Sequence, residues 1–134
     1  MRVLQFLAIL LTLASIQCLS VDMLNKIKTW RGECIDETGN DRDFVVKALT
    51  EHKYPDEAKF KDFILCMTKK FGVVDDQGNL HPEVFKKVLL SEGQSDAAAD
   101  DLVKKCAVVK GSAEDSAFSM FVCHQNSAPK ELQI

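Results

Sequence analysis

Apolar residues along the chain recur at steps of three and four, the spacing that gathers one face of an α-helix. Leu24, Ile27 and Trp30 mark a first helix over residues 21–34, with Asp22 as its cap and the polar stretch 37–40 as its end. Asp41 precedes a second helix in which Phe44, Val45, Ala48 and Leu49 share a face. It ends at Tyr54, because the ring of Pro55 disfavours helical geometry in the residue before it. Pro55 itself suits a first helical turn, and Asp56 and Glu57 suit the positive end of the helix dipole. A third helix is therefore expected from Pro55 through Phe60, Phe63, Ile64, Met67 and Phe71, closed by Gly72. Pro82 opens a fourth, carrying Val84, Phe85, Val88 and Leu89 and stopped at Gly93. Ser95 or Asp96 caps a fifth, with Leu102, Val103, Cys106 and Val109, stopped at Gly111. Ser112 begins the sixth, with Glu114 and Asp115 in its first turn and Ala117, Phe118, Phe121 and Val122 as its apolar surface. The β-branched residues fall inside these helical periods, and no repeat or low-complexity tract interrupts them. The pattern predicts an all-α fold of six short helices around one core.

Ahead of this region, Met1 and Arg2 precede an uncharged apolar run from Val3 to Ala14, and small side chains follow at Cys18 and Ser20. That is the pattern of a signal peptide cleaved after Ser20, and the run is short for a bilayer span. The expected organisation is a leader over residues 1–20 and one helical domain over 21–134, secreted and without membrane insertion. Removing the leader takes one base, Arg2, from the 17 basic residues that face 20 acidic ones, which leaves the domain mildly acidic. Lys and Arg are interspersed with Asp and Glu in no long basic stripe, so neither a nucleic-acid backbone nor an anionic membrane surface is an expected partner. The tail 127–134 has no helical pattern and contains Pro129, which predicts fraying. A lid over a pocket mouth is the alternative for it.

Catalytic chemistry finds no support. His52, His81 and His124 lie at helix ends or turns, with no nucleophile motif, no Gly-rich phosphate loop and no His-Glu-x-x-His spacing. Each is expected to be solvent-exposed, and the chain is expected to be neither an enzyme nor a cofactor protein. No two cysteines stand at the short intervals of a structural zinc site, and adjacent Cys123 and His124 point apart on a helix. The acidic turn 75–79 lacks the alternating ligands and late bidentate Glu of a calcium loop, and reads as an ordinary connection.

Four cysteines follow the leader: Cys34, Cys66, Cys106 and Cys123. An even number in a secreted chain reads as two disulfides, with three connectivities open. Their intervals are 31, 39 and 16 residues, all at helices or helix edges. This spacing resembles the insect odorant-binding protein family (PBP/GOBP), which carries six cysteines on six helices and pairs first with third, second with fifth and fourth with sixth. Cys34 matches the first, Cys66 the third, Cys106 the fourth and Cys123 the sixth. The run from Cys66 to Gly72 and the Asp-rich turn with Gly78 look like that family's exit from its third helix. The second and fifth positions fall on Asp62 and Glu114, although the interval from Cys106 to Glu114 is slightly short of the pattern. Both members of one bridge are missing together, so the chain resembles the four-cysteine, or C-minus, subgroup.

The resemblance implies the bridges Cys34–Cys66 and Cys106–Cys123, and a more adaptable pocket where a third bridge would have tied the third helix to the sixth. It implies an internal apolar pocket that carries a small hydrophobic molecule, such as an odorant, a pheromone or a lipid-like ligand. A chemosensory receptor or a second copy of the chain would be the macromolecular partner. The candidate lining residues, taken from inward faces of several helices, are Ile27, Ile64, Met67, Val84, Val88, Leu102, Phe118 and Phe121. The rival reading is a secreted helical signalling or defence protein whose core leaves no room for a small molecule. Four-cysteine chemosensory proteins are disfavoured, since they space their cysteines more closely.

Overall fold

The computed structural model describes residues 20–127. Apart from Ser20 and Ser127, the segments read as leader and as fraying tail or lid lie outside these residues. The chain forms helices α1 (Val21–Thr38), α2 (Arg42–Glu51), α3 (Ala58–Lys70), α4 (Pro82–Ser91), α5 (Asp96–Cys106) and α6 (Ala113–Ser127). Disulfides join Cys34 to Cys66, with Cα atoms 5.7 Å apart, and Cys106 to Cys123 at 5.4 Å. The first ties α1 to α3 and the second ties α5 to α6.

Helix ends follow local hydrogen bonding. Ser20, rather than Asp22, caps α1, its Oγ accepting from the Met23 amide at 3.2 Å. α1 runs a turn further than residue 34 and closes at Gly39, whose φ of 66° is a conformation that costs other residues more. Asp41 caps α2 by accepting from the Phe44 amide at 2.8 Å. That helix stops at Glu51, three residues before the expected end, with His52 in the left-handed region. Pro55 does not begin α3, which starts three residues later at Ala58 after Glu57 in extended geometry. α5 also ends early. Cys106 is bonded to α6 there, and Val109 is 73% exposed, so no buried apolar surface rewards another turn.

Between α3 and α4 the turn satisfies itself. Asp75 Oδ1 accepts from the amides of Gln77 and Asn79, each at 2.9 Å, and Val74 and Leu80 form an isolated antiparallel bridge. The Asp75 oxygens are thereby committed to the turn.

Apolar side chains pack as two clusters. One gathers Cys34, Ile35, Val45, Phe60, Phe63, Ile64 and Ala117 where α1, α2, α3 and α6 meet. The other gathers Val73, Phe85, Leu89, Ala99, Leu102, Cys106 and Met120 where α4, α5 and α6 meet. α6 belongs to both, burying Ala117 in the first and Met120 in the second. No helix among the described residues is long and apolar enough to cross a membrane.

Candidate functional site

A cavity of about 130 Å³ lies at the seam between the two clusters, walled by Phe63 and Ile64 from the first and Val73, Phe85 and Met120 from the second. It is of the same order as the ~150 Å³ apolar cavity that stays dry and admits benzene or xenon. The helices that supply more than one residue reach it with side chains three or four apart, as helical geometry requires. α1 supplies Ile27 and Arg31. α3 supplies the rows Phe63–Met67 and Ile64–Thr68, with Phe71 just beyond its end. α4 supplies Phe85, Val88 and, just past its end, Glu92, while α6 supplies Met120, Phe121, His124 and Gln125, and α2 adds Leu49.

Aromatic contacts brace the wall from behind. Trp30 meets Phe71 edge-on with centroids 5.2 Å apart, and Tyr54 meets Phe121 in the same way at 4.9 Å. Burial pushes the Tyr54 phenol above its ordinary pKa, and its hydroxyl lies 3.5 Å from Gln125 Oε1.

The few polar groups in the wall are nearly all engaged. His124 Nε2 lies 3.1 Å from Glu92 Oε2, and both side chains are buried, so this bond pins α6 to the end of α4. The expectation of a solvent-exposed His124 is thus corrected: the residue is 8% exposed, because α6 turns that face toward Phe85 as well as Glu92. Thr68 donates to the Leu65 carbonyl at 2.9 Å.

Five of the eight residues named from sequence line the cavity: Ile27, Ile64, Met67, Val88 and Phe121. Val84, Leu102 and Phe118 do not. Val84 packs on the second cluster, and Leu102 is buried within it on α5, a helix that contributes nothing to the wall. Phe118 lies nearly a turn nearer the start of α6, edge-on to Phe60 at 6.3 Å and with Lys61 Nζ 5.5 Å from its ring centre. Sequence reasoning placed Phe63, Phe71 and Phe85 in the core without assigning them to a cavity. It gave no sign of Arg31, Glu92 or Gln125, since a polar residue on an amphipathic helix reads as solvated. Among the described residues no group of three or more His, Cys, Asp or Glu is placed to hold a metal ion.

The family model of the PBP/GOBP family matches residues 17–127. B1 protein of Tenebrio molitor is 28% identical over 120 residues, covering 90% of this chain and 92% of its own. The THP12 carrier protein of the yellow meal worm is similar in structure, with a TM-score of 0.55, 26% identity, and coverage of 68% of this chain and 83% of its own. Odorant-binding protein 7 of Anopheles gambiae, solved in complex with an azo compound, shares the fold with a TM-score of 0.65 at 21% identity, over 86% of this chain and 93% of its own.

Proposed function

The chain belongs to the PBP/GOBP family of insect odorant-binding proteins, and from that premise we propose that it is a secreted carrier whose seam cavity takes up small hydrophobic molecules. Its four disulfide-bonded cysteines fit the C-minus subgroup. The reading rests on one observation: the space between the two clusters is walled mostly by apolar side chains, contributed by five helical segments and Val73.

Removing apolar ligand surface from water drives uptake, at roughly 25 cal/mol per Å². Such a wall discriminates shapes weakly, since one methylene in an apolar pocket is worth about 1–3 kcal/mol. Met67 and Met120 supply unbranched, polarisable walls that adjust to uneven outlines. The mosquito protein that shares this fold was solved holding a small molecule, an azo compound. The leader pattern and the two disulfides both support an oxidising extracellular setting.

Titration with an N-phenylnaphthylamine probe tests the proposal. Saturable fluorescence, displaced by an apolar competitor and accompanied by a change in Trp30 emission through Phe71, is expected. A signal that neither saturates nor yields to competitors removes the carrier function and leaves the helical signalling or defence protein as the better reading.

A further inference from the structure

Four Lys or Arg side chains are half-buried among the described residues: Arg31, Lys61, Lys70 and Lys86. Three of them are bracketed by carboxylates. Lys61 Nζ lies 2.6 Å from Asp56 and 2.8 Å from Asp115, Lys70 lies 2.9 Å from Glu33 and 3.6 Å from Glu37, and Lys86 lies 3.1 Å from Asp96 and 2.8 Å from Asp100. The fold supplies each with two counter-charges. Arg31 breaks this rule: among the described residues its guanidinium has no ion-pair or hydrogen-bond partner, and it is the one of the four that lines the cavity.

Removing a charge partly from water without a partner is costly. The other polar groups of the wall do not relieve it. Glu92 is held by His124, Thr68 is spent on the Leu65 carbonyl, and Gln125 is engaged with Tyr54 and other partners. A planar fork of N–H donors beside an apolar hollow matches one ligand chemistry, a carboxylate on a hydrocarbon tail, because two parallel N–H donors fit two carboxylate oxygens.

We propose that Arg31 makes this carrier selective for carboxylic acids with apolar tails, the tail entering the cavity past Ile27 and Met67 while the carboxylate bonds the guanidinium. The inference rests on the carrier reading and refines it. Ile27 stands one turn before Arg31 on α1, so the head and tail contacts come from one helix edge.

Octanoate and octanol share a tail and differ in the head group, so competition of each against the naphthylamine probe isolates the role of Arg31. On the native chain octanoate is expected to bind about tenfold more tightly than octanol, the gain of a charge-assisted hydrogen bond. In Arg31→Gln the affinity ratio of acid to alcohol is expected to fall to about one, and Arg31→Lys, with a point charge in place of the fork, should keep an intermediate ratio. A ratio near one on the native chain overturns the proposal even if the variants fail to fold. A high ratio that persists in Arg31→Gln assigns the selectivity to another group and overturns it too. Failure of both compounds to displace a bound probe overturns this inference alone, whereas failure of the probe to bind saturably removes the carrier function and with it this inference.

Discussion

Asp75 carries more bonds than any neighbour in its turn. Besides the two backbone amides, its Oδ2 accepts from Asn79 Nδ2 at 3.2 Å and lies 2.9 Å from His81 Nε2. The hydrogen bond with His81, then that from the Asn79 amide, holds the Asp75 carboxyl down at about 2. Asp75 and then Glu83 raise His81 above the usual imidazole value. The two shifts describe one interaction with two limits. On the acid side its stabilising effect is complete above the unfolded carboxyl value, about 3.9, and is lost as pH falls toward the native value. On the basic side it is complete below about 6.5 and is lost as pH rises through the elevated histidine value. His81→Gln should therefore lower the melting temperature most between about pH 4 and 6.5, with the gap to the native chain closing on both sides. Thermal melts across pH decide this, and a gap of constant size from acid to alkaline pH would show that the charge pair is not what His81 contributes. The turn matters to the site because the His81 amide donates to the Val73 carbonyl at 2.7 Å, setting a residue of the cavity wall. Sequence signalled a turn here through Asp, Gly and Asn, but not which carboxylate would be its hub, since that depends on His81 folding back across six residues.

At the scale of elements, six helices and their order were legible from periodicity, because each buries a stripe against a neighbour and the stripe repeats at the helical period. Their ends were less legible. Pro55 is compatible with a first turn and equally with the extended approach it makes here, and the apolar Val109 completes a helical period without finding anything to pack against. The pairing of α3 with α6 is the most extensive helix contact among the described residues. No disulfide reinforces it. One residue along from Asp62 and Glu114, where six-cysteine relatives would place that bridge, Lys61 and Asp115 make the 2.8 Å ion pair instead. Asp115 is half-exposed and water screens the pair, so it holds the helices weakly compared with a covalent link. Asp62→Cys with Glu114→Cys should form a bridge worth up to about 4 kcal/mol in the chain-entropy view, raising the melting temperature by about 5–15 °C. It should also narrow the range of ligands bound, since the cavity wall on α3 and α6 would shift less. Comparison with the matching double serine variant isolates the cross-link, and equal melting temperatures for the two would show that α3 and α6 are already as firmly held as a disulfide could make them.

For the molecule as a whole, the decisive feature is that the interior of the described residues is two cores rather than one. Sequence could not reveal this, because residues of both clusters share the same apolar pattern and α6 contributes to each from adjacent positions. Hence Leu102 and Phe118, inward-facing like Ile64 and Phe121, lie within one cluster rather than at the boundary. The seam leaves the two halves joined mainly by α6, which the Cys106–Cys123 bridge ties to α5 and the His124–Glu92 bond ties to the end of α4, and by Leu80, which packs on both clusters. A ligand in the cavity touches both clusters at once, so its binding energy becomes cohesion between them. At a free concentration one hundred times its dissociation constant, a ligand that binds only the folded chain adds about 2.7 kcal/mol, or a rise of roughly 10 °C in melting temperature for a domain of this size. The distribution of that gain tests the architecture more sharply than its size. Amide hydrogen exchange should slow on α3 and on α4 together when octanoate or the naphthylamine probe saturates the chain, because the guest bridges Ile64 and Met67 to Phe85 and Val88. Protection confined to α1 and α3, with α4 and α5 exchanging as before, would place the guest on one cluster's surface and leave the seam without a role in binding.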